Sequence, residues 1–191
     1  MKMSSREMVL AALFAALAVV AAVLVRYGGA VVPFSLVPFV VMLAGGMLGA
    51  RTGALSMLVY LLLGLVGLPV FEKPPFGGPA YVLQPTFGFL IGYIPGAAVT
   101  GALAAGKKDA GWTRYFLSMA AGLAVIYLAG LSYLYVILNY YLGQTLSALQ
   151  VIKIGFLPYV GFDLLKAAVA AGLARAVCRR TGGLLGVREN R

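Results

Sequence analysis

The chain has 191 residues, 62% of them hydrophobic and only 10% charged, with a formal net charge of +10, no histidine and one cysteine. A soluble domain carries about a quarter charged residues, so residues 1–191 read as a single membrane-embedded domain with no room for a soluble catalytic one. Cys178 alone permits neither an internal disulfide nor a thiolate metal site, and without histidine the usual general base and the commonest metal ligand are missing.

Six apolar segments follow one another at about 7–25, 36–50, 53–69, 86–106, 113–138 and 156–178. The fold class they predict is all-α, an integral membrane protein of six transmembrane helices. Lys2 and Arg6 lead into the first segment with no signal-peptide cleavage pattern. That segment carries Ala11, Ala12, Ala15 and Ala16, a flat alanine stripe. In lipid, small residues let helices approach closely, either within the chain or against another subunit. The second segment is short for a span, and Gly45 and Gly49 form a small-residue seam in it. Arg51 and Thr52 alone join it to the third, a tight turn.

Residues 70–85 hold Pro74, Pro75, Pro79 and Pro85 with Gly77 and Gly78, which excludes a continuous helix and stiffens the loop. Phe71, Phe76 and Tyr81 give it an apolar surface suited to covering a pocket. Gly88, Gly92 and Gly96 make a ladder for helix packing in the fourth segment. Trp112 and Tyr115 at one end of the fifth, and Tyr140 and Tyr141 near the other, fit interfacial belts.

Six spans place both termini on one side. Eleven basic residues fall there: Lys2, Arg6, Arg51, Lys107, Lys108, Arg114, Arg175, Arg179, Arg180, Arg188 and Arg191. Arg26, Lys73 and Lys153 fall on the other. The positive-inside rule then makes both termini cytoplasmic.

The remaining basic residue, Lys166, lies with Asp163 inside the sixth segment. A charge at the centre of a membrane helix costs on the order of 3 kcal/mol even on the lenient insertion scale, so it faces a cavity or a partner. Spaced i, i+3, the two leave the helix on nearly one face. Together they form either a polar clamp for a small molecule or a self-neutralising pair that holds helices together. Enzymatic chemistry finds no foothold: there is no phosphate-binding G-x-x-x-x-G-K-[ST] run, and Glu7, Glu72, Asp109, Asp163 and Glu189 are too scattered to share a metal.

Several stretches carry a resemblance: Val32-Pro33-Phe34-Ser35-Leu36 before Leu43-Ala44-Gly45-Gly46-Met47-Leu48-Gly49; Gly64-Leu65-Val66-Gly67-Leu68-Pro69-Val70-Phe71; and Pro85-Thr86-Phe87-Gly88-Phe89-Leu90-Ile91-Gly92. The last is Phe156-Leu157-Pro158 followed by Asp163-Leu164-Leu165-Lys166. In this order the sequence resembles BioY, the biotin-binding substrate subunit of energy-coupling-factor vitamin transporters, over about residues 7–178. It departs at Phe87, which replaces a glycine, and at Tyr159-Val160-Gly161-Phe162, which lengthens the link from proline to aspartate.

The resemblance implies an S-component-like bundle with a pocket near the extracellular side and biotin as transported ligand, without a cofactor or metal. It implies that Ala11, Ala12, Ala15 and Ala16 lie at the partner interface, docked on a transmembrane coupling subunit that two cytoplasmic ATPases drive. Asp163 would then accept from a ureido N–H and Lys166 donate to the ureido carbonyl, or Lys166 would instead meet the carboxylate. Gln84 would lie beside the head group or cap a helix, and Tyr81, Phe34 and Phe87 are candidate walls. Two other functions stay open: a substrate subunit for another small vitamin, and a stand-alone proton-coupled transporter.

Overall fold

The computed structural model describes residues 3–28, 34–104 and 110–181, and every regular element among them is helical. Helix α1 spans Ser5–Tyr27. It starts at a capping box: the Ser4 N–H donates to Glu7 Oε2 (2.7 Å), and the Glu7 N–H to Ser4 Oγ (3.2 Å). The box adds two residues to the segment its hydropathy predicts.

Helix α2, Val37–Leu65, contains both the second and third predicted segments. It is folded at Gly49, whose φ of 79° and ψ of 177° leave the helical region for one that only glycine adopts freely. A Cβ added at Gly53 would stand 3.0 Å from the Ala44 backbone, whereas a straight helix would separate the two by about 13 Å. The chain therefore doubles back, and residues 37–48 and 50–65 form two antiparallel arms. Gly49 makes the reversal and also keeps its place in the packing seam, since a Cβ at Gly101 of the next long helix would stand 2.3 Å from its carbonyl carbon, while Gly45 meets Ala97 and Thr100 of that helix.

The second arm stops at Leu65, short of the predicted 69, and Gly67 at φ 107° turns the chain away. The loop that follows holds one 3₁₀ turn, Pro79–Leu83. Helix α3 is Phe87–Ala104 and α4 is Trp112–Val136, extended by a π turn through Tyr141. The predicted glycine ladder seats α3 on α4. A side chain at Gly88 would strike Tyr133, one at Gly92 would crowd Ala129 and Ile126, and one at Gly96 would press on Ile126 and Gly122. Trp112 is half-exposed and Tyr140 and Tyr141 are exposed, as belts require, but Tyr115 is buried against the alanines of the last helix and leaves the belt.

A short helix α5, Ala148–Gly155, was not expected from hydropathy, although its capping box, Ser147 with Gln150, is written in the sequence. Helix α6, Leu157–Thr181, leaves it at a 47° bend. Ala167, Ala170, Ala171 and Ala174 bury one face of α6. Four helices, α1 to α4, are long and apolar enough to cross a membrane, and the bent pair α5–α6 adds a fifth crossing. Counting α2 by its two arms recovers the six predicted segments. The first arm, at about 18 Å by helix rise, is the short span the sequence marked.

The alternation gathers the end of α1, the loop 66–86 and α5 at one end of the bundle. Arg26 joins two of these, its Nη2 donating to the carbonyls of Pro69 (2.7 Å) and Phe71. The Gly49 reversal and both outer ends of the bundle lie at the other.

Candidate functional site

At the end that holds Arg26 a cavity of about 460 Å³ opens between all the long helices and the proline-rich loop. That volume falls within the range of small-molecule sites, roughly 300–1,000 Å³. Helix α6 contributes Asp163 and Lys166, and α4 contributes Tyr127. From α3 come Phe89, Leu90 and Tyr93, from α2 Tyr60, and from α1 Arg26. The loop supplies Phe71, Glu72, Lys73, Tyr81 and Thr86, and the segment before α2 supplies Phe34 and Ser35.

Asp163 and Lys166 meet in the wall of this cavity, with Lys166 Nζ paired to Asp163 Oδ1. Asp163 is 7% exposed. Neither partner is used up by the pairing. Lys166 Nζ also donates to the Ser35 carbonyl at 2.6 Å, and Tyr127 donates its hydroxyl to Asp163 Oδ2. An ammonium has three donors and a carboxylate about four acceptor sites. One donor and about two acceptor sites therefore have no partner among the described residues.

Ser35 links the pair to the loop. Its backbone carbonyl holds Lys166, while its hydroxyl donates to Glu72 Oε1 at 2.7 Å. Burial raises the Glu72 carboxyl above its ordinary 4.5, against the lowering pull of the Ser35 hydrogen bond, Lys166 and Lys73. The loop does roof the cavity: Phe71 (fully buried) and Tyr81 (2% exposed) point into the core, with ring centroids 4.3 Å apart. Phe71 fits only because residue 64 is glycine, where a Cβ would stand 1.9 Å from its ring.

A model of the BioY family matches residues 1–183. The chain belongs to the BioY family. It is 43% identical to the biotin transporter BioY of Thermotoga maritima over 171 residues, covering 88% of this chain and 94% of that protein. To the probable biotin transporter BioY of Lysinibacillus sphaericus it is 40% identical, over 90% of this chain and 86% of that one. To the biotin transporter BioY of Rhizobium etli it is 40% identical, over 92% and 94%. The fold matches the crystal structure of an S-component for biotin from an ECF-type ABC transporter, with a TM-score of 0.76, 21% identity, and coverage of 96% and 98%. Membership in a transporter family agrees with the multi-pass helices and with a chain that is not an enzyme.

In this BioY chain the cavity gathers four of the six residues expected at the ligand: Asp163, Lys166, Tyr81 and Phe34. Phe34 stacks on Phe162 at 4.0 Å and meets the edge of Tyr159, both from the lengthened link. Gln84 and Phe87 are not in the wall. Gln84 closes the 3₁₀ turn with its backbone, donating to Tyr81 and accepting from Phe87, and Thr86 takes its place beside the cavity. Phe87 sits one layer back, edge-on to Tyr81 (6.5 Å) and Tyr133 (5.9 Å) and 4% exposed.

The alanine stripe also divides. Ala11 and Ala15, at 2% and 1% exposed, pack inside the bundle, where a partner subunit does not reach them, contrary to the expectation for the stripe. Ala12 and Ala16 face outward, flanked by the exposed Leu13, Leu17 and Val20.

Hydropathy and spacing missed Tyr127, Ser35, Glu72 and Arg26. A tyrosine at mid-span was a usable signal, since its hydroxyl needs a partner there. Arg26 looked like a topology charge, and Glu72 like one of several scattered carboxylates.

Proposed function

We propose that this chain captures biotin with high affinity, as the membrane substrate-binding subunit of an ATP-driven energy-coupling-factor transporter. The observation that carries the reading is the incomplete pairing of Asp163 and Lys166 in the cavity wall. A ureido ring offers one carbonyl and two N–H groups. The unpartnered donor of Lys166 and acceptor sites of Asp163 complement that set, and charge-assisted hydrogen bonds in a dry site are roughly twice as strong as neutral ones. The aromatic walls Phe34, Phe71, Tyr81 and Phe89 suit the apolar sulfur ring. Placing the ligand's carboxylate at Lys166 would instead set a second anion beside Asp163, with Glu72 also near, so the ureido pose is favoured.

The charge distribution supports an outward-facing cavity. Among the described residues its end of the bundle carries Arg26, Lys73 and Lys153, against Arg6, Arg51, Arg114, Arg175, Arg179 and Arg180 at the other; Lys2, Lys107, Lys108, Arg188 and Arg191 lie outside the described residues, and the positive-inside rule favours cytoplasmic termini. The outward-facing Ala12 and Ala16, in an exposed apolar face of α1, suit docking on a transmembrane coupling subunit coupled to two cytoplasmic ATPases.

Calorimetry and thermal shift of the purified chain against a panel of vitamins test the reading. Biotin alone should bind tightly and raise the unfolding temperature. A stronger response to another vitamin would reassign the ligand within the same fold. Uptake by liposomes that contain no ATPase, abolished by an uncoupler, would replace the subunit reading with a proton-coupled carrier.

A further inference from the structure

Five charged side chains line the cavity, and they do not balance: Arg26, Lys73 and Lys166 face Asp163 and Glu72. Lys166 is paired with Asp163, and Glu72 takes the Ser35 hydroxyl. Arg26 has no ion pair among the described residues. It is nevertheless held firmly. Its Nη2 donates to the Pro69 and Phe71 carbonyls, and its guanidinium lies over the Phe76 ring at 4.1 Å. These contacts use two of the five N–H groups that an arginine offers. Of the rest, Nε is buried without an acceptor among the described residues, whereas Nη1 has no acceptor there and is not closed off in the same way. An open guanidinium donor is satisfied by any acceptor a ligand brings, and most strongly by an anionic one.

We propose that Arg26 is a specificity determinant that receives the carboxylate of the ligand, so that the cavity selects a monoanionic acid over its neutral derivatives. The assignment rests on biotin as the ligand and adds the recognition of its tail to that of its ring. Division of labour follows from chemistry. The α6 pair presents a donor beside acceptors and suits a neutral ureido group, whereas Arg26 presents donors only and has a full positive charge to offer. Lys73 also lines the cavity, but its side chain is exposed on the loop and has no hydrogen-bond or ion-pair partner among the described residues. Arg26 loses less freedom on engaging an anion because its neighbours already hold it.

The test compares biotin with biotinamide, in which the tail is neutral, by calorimetry on the detergent-purified full chain. The wild type should bind biotin at least tenfold more tightly than biotinamide. Arg26→Gln should weaken biotin to within threefold of biotinamide while biotinamide itself changes less than threefold. Arg26→Lys, which keeps the charge, should retain at least threefold discrimination, and it serves as the readout if Arg26→Gln does not fold. Equal affinity of the wild type for both compounds overturns the proposal and leaves the biotin reading standing. So does an equal loss of both in Arg26→Gln, which would make Arg26 a loop staple only. Loss of discrimination in Lys73→Gln but not in Arg26→Gln also overturns it, as does its loss in Arg26→Lys. Binding of neither compound by the wild type would be a failure of the biotin reading itself.

Discussion

Replacing Lys166 by alanine removes a side chain that touches both Asp163 and Ser35, in the segment before α2. In the wild type its side chain is only 15% exposed, and its ammonium donates to the Ser35 carbonyl at 2.6 Å and pairs with Asp163. In the proposed pose its third donor goes to the ureido carbonyl, a charge-assisted hydrogen bond of about 1.5–3 kcal/mol. The substitution also leaves Asp163 as a buried carboxylate with Tyr127 as its remaining hydrogen-bond partner among the described residues. An unpaired buried charge is costly, on the order of 3–5 kcal/mol when one partner of a pair is deleted, though part of this falls equally on free and bound protein. The two effects together predict a loss of about 3 kcal/mol, on the order of a hundredfold in Kd. Calorimetry in detergent reads the Kd, and circular dichroism checks that the helices still form. Deleting both partners in Asp163→Ala/Lys166→Ala should weaken binding by much less than the product of the single losses, because the orphaned charge is gone. A Kd for Lys166→Ala within threefold of wild type would refute the reasoning and reduce the pair to a structural tie.

Gly49→Ala should lower stability by about 1–3 kcal/mol, because a side chain is forced into a φ/ψ region it rarely adopts although space is open around it; thermal unfolding in detergent measures it, and an unchanged Tm would count against the folded-back α2. The Glu72 carboxyl is raised above 4.5 in the folded chain, so its contribution to stability is full below the unfolded value and lost as pH rises through the folded one. As pH rises from about 4.5 the wild type should thus lose Tm relative to Glu72→Gln, and parallel curves for the two would dismiss that role for the loop carboxylate. For topology, Tyr140→Cys in a Cys178→Ala background should react with a membrane-impermeant thiol reagent on intact cells, since Tyr140 is 81% exposed at the cavity end; labelling only after lysis would invert the orientation.

The spans and the α6 pair were legible because each rests on a local property. Apolar runs identify helices in lipid, and an acid and a base one turn apart inside such a run announce themselves. Lid and ladder were readable on similar grounds, from prolines that forbid a helix and glycines at i, i+4 spacing. What escaped needed the tertiary fold. Phe87 and Tyr81 look alike in sequence, yet the 3₁₀ turn aims Tyr81 at the cavity and leaves Phe87 behind it. Ala11 and Ala12 are neighbours, and only the rotation of α1 in the bundle decides which one faces inward. Gly49 matched the seam pattern, and its positive φ, invisible to spacing, makes it a corner. Arg26 counted as a topology signal until the loop carbonyls that hold it came into view.

A structure of the purified chain determined with saturating biotin examines the proposed recognition most directly. The ureido ring should lie about 3 Å from Asp163 and Lys166, with the bicyclic ring among Phe34, Phe71, Tyr81 and Phe89. An empty cavity at saturation, or a ring lodged elsewhere while Asp163 and Lys166 hold only each other, would contradict it.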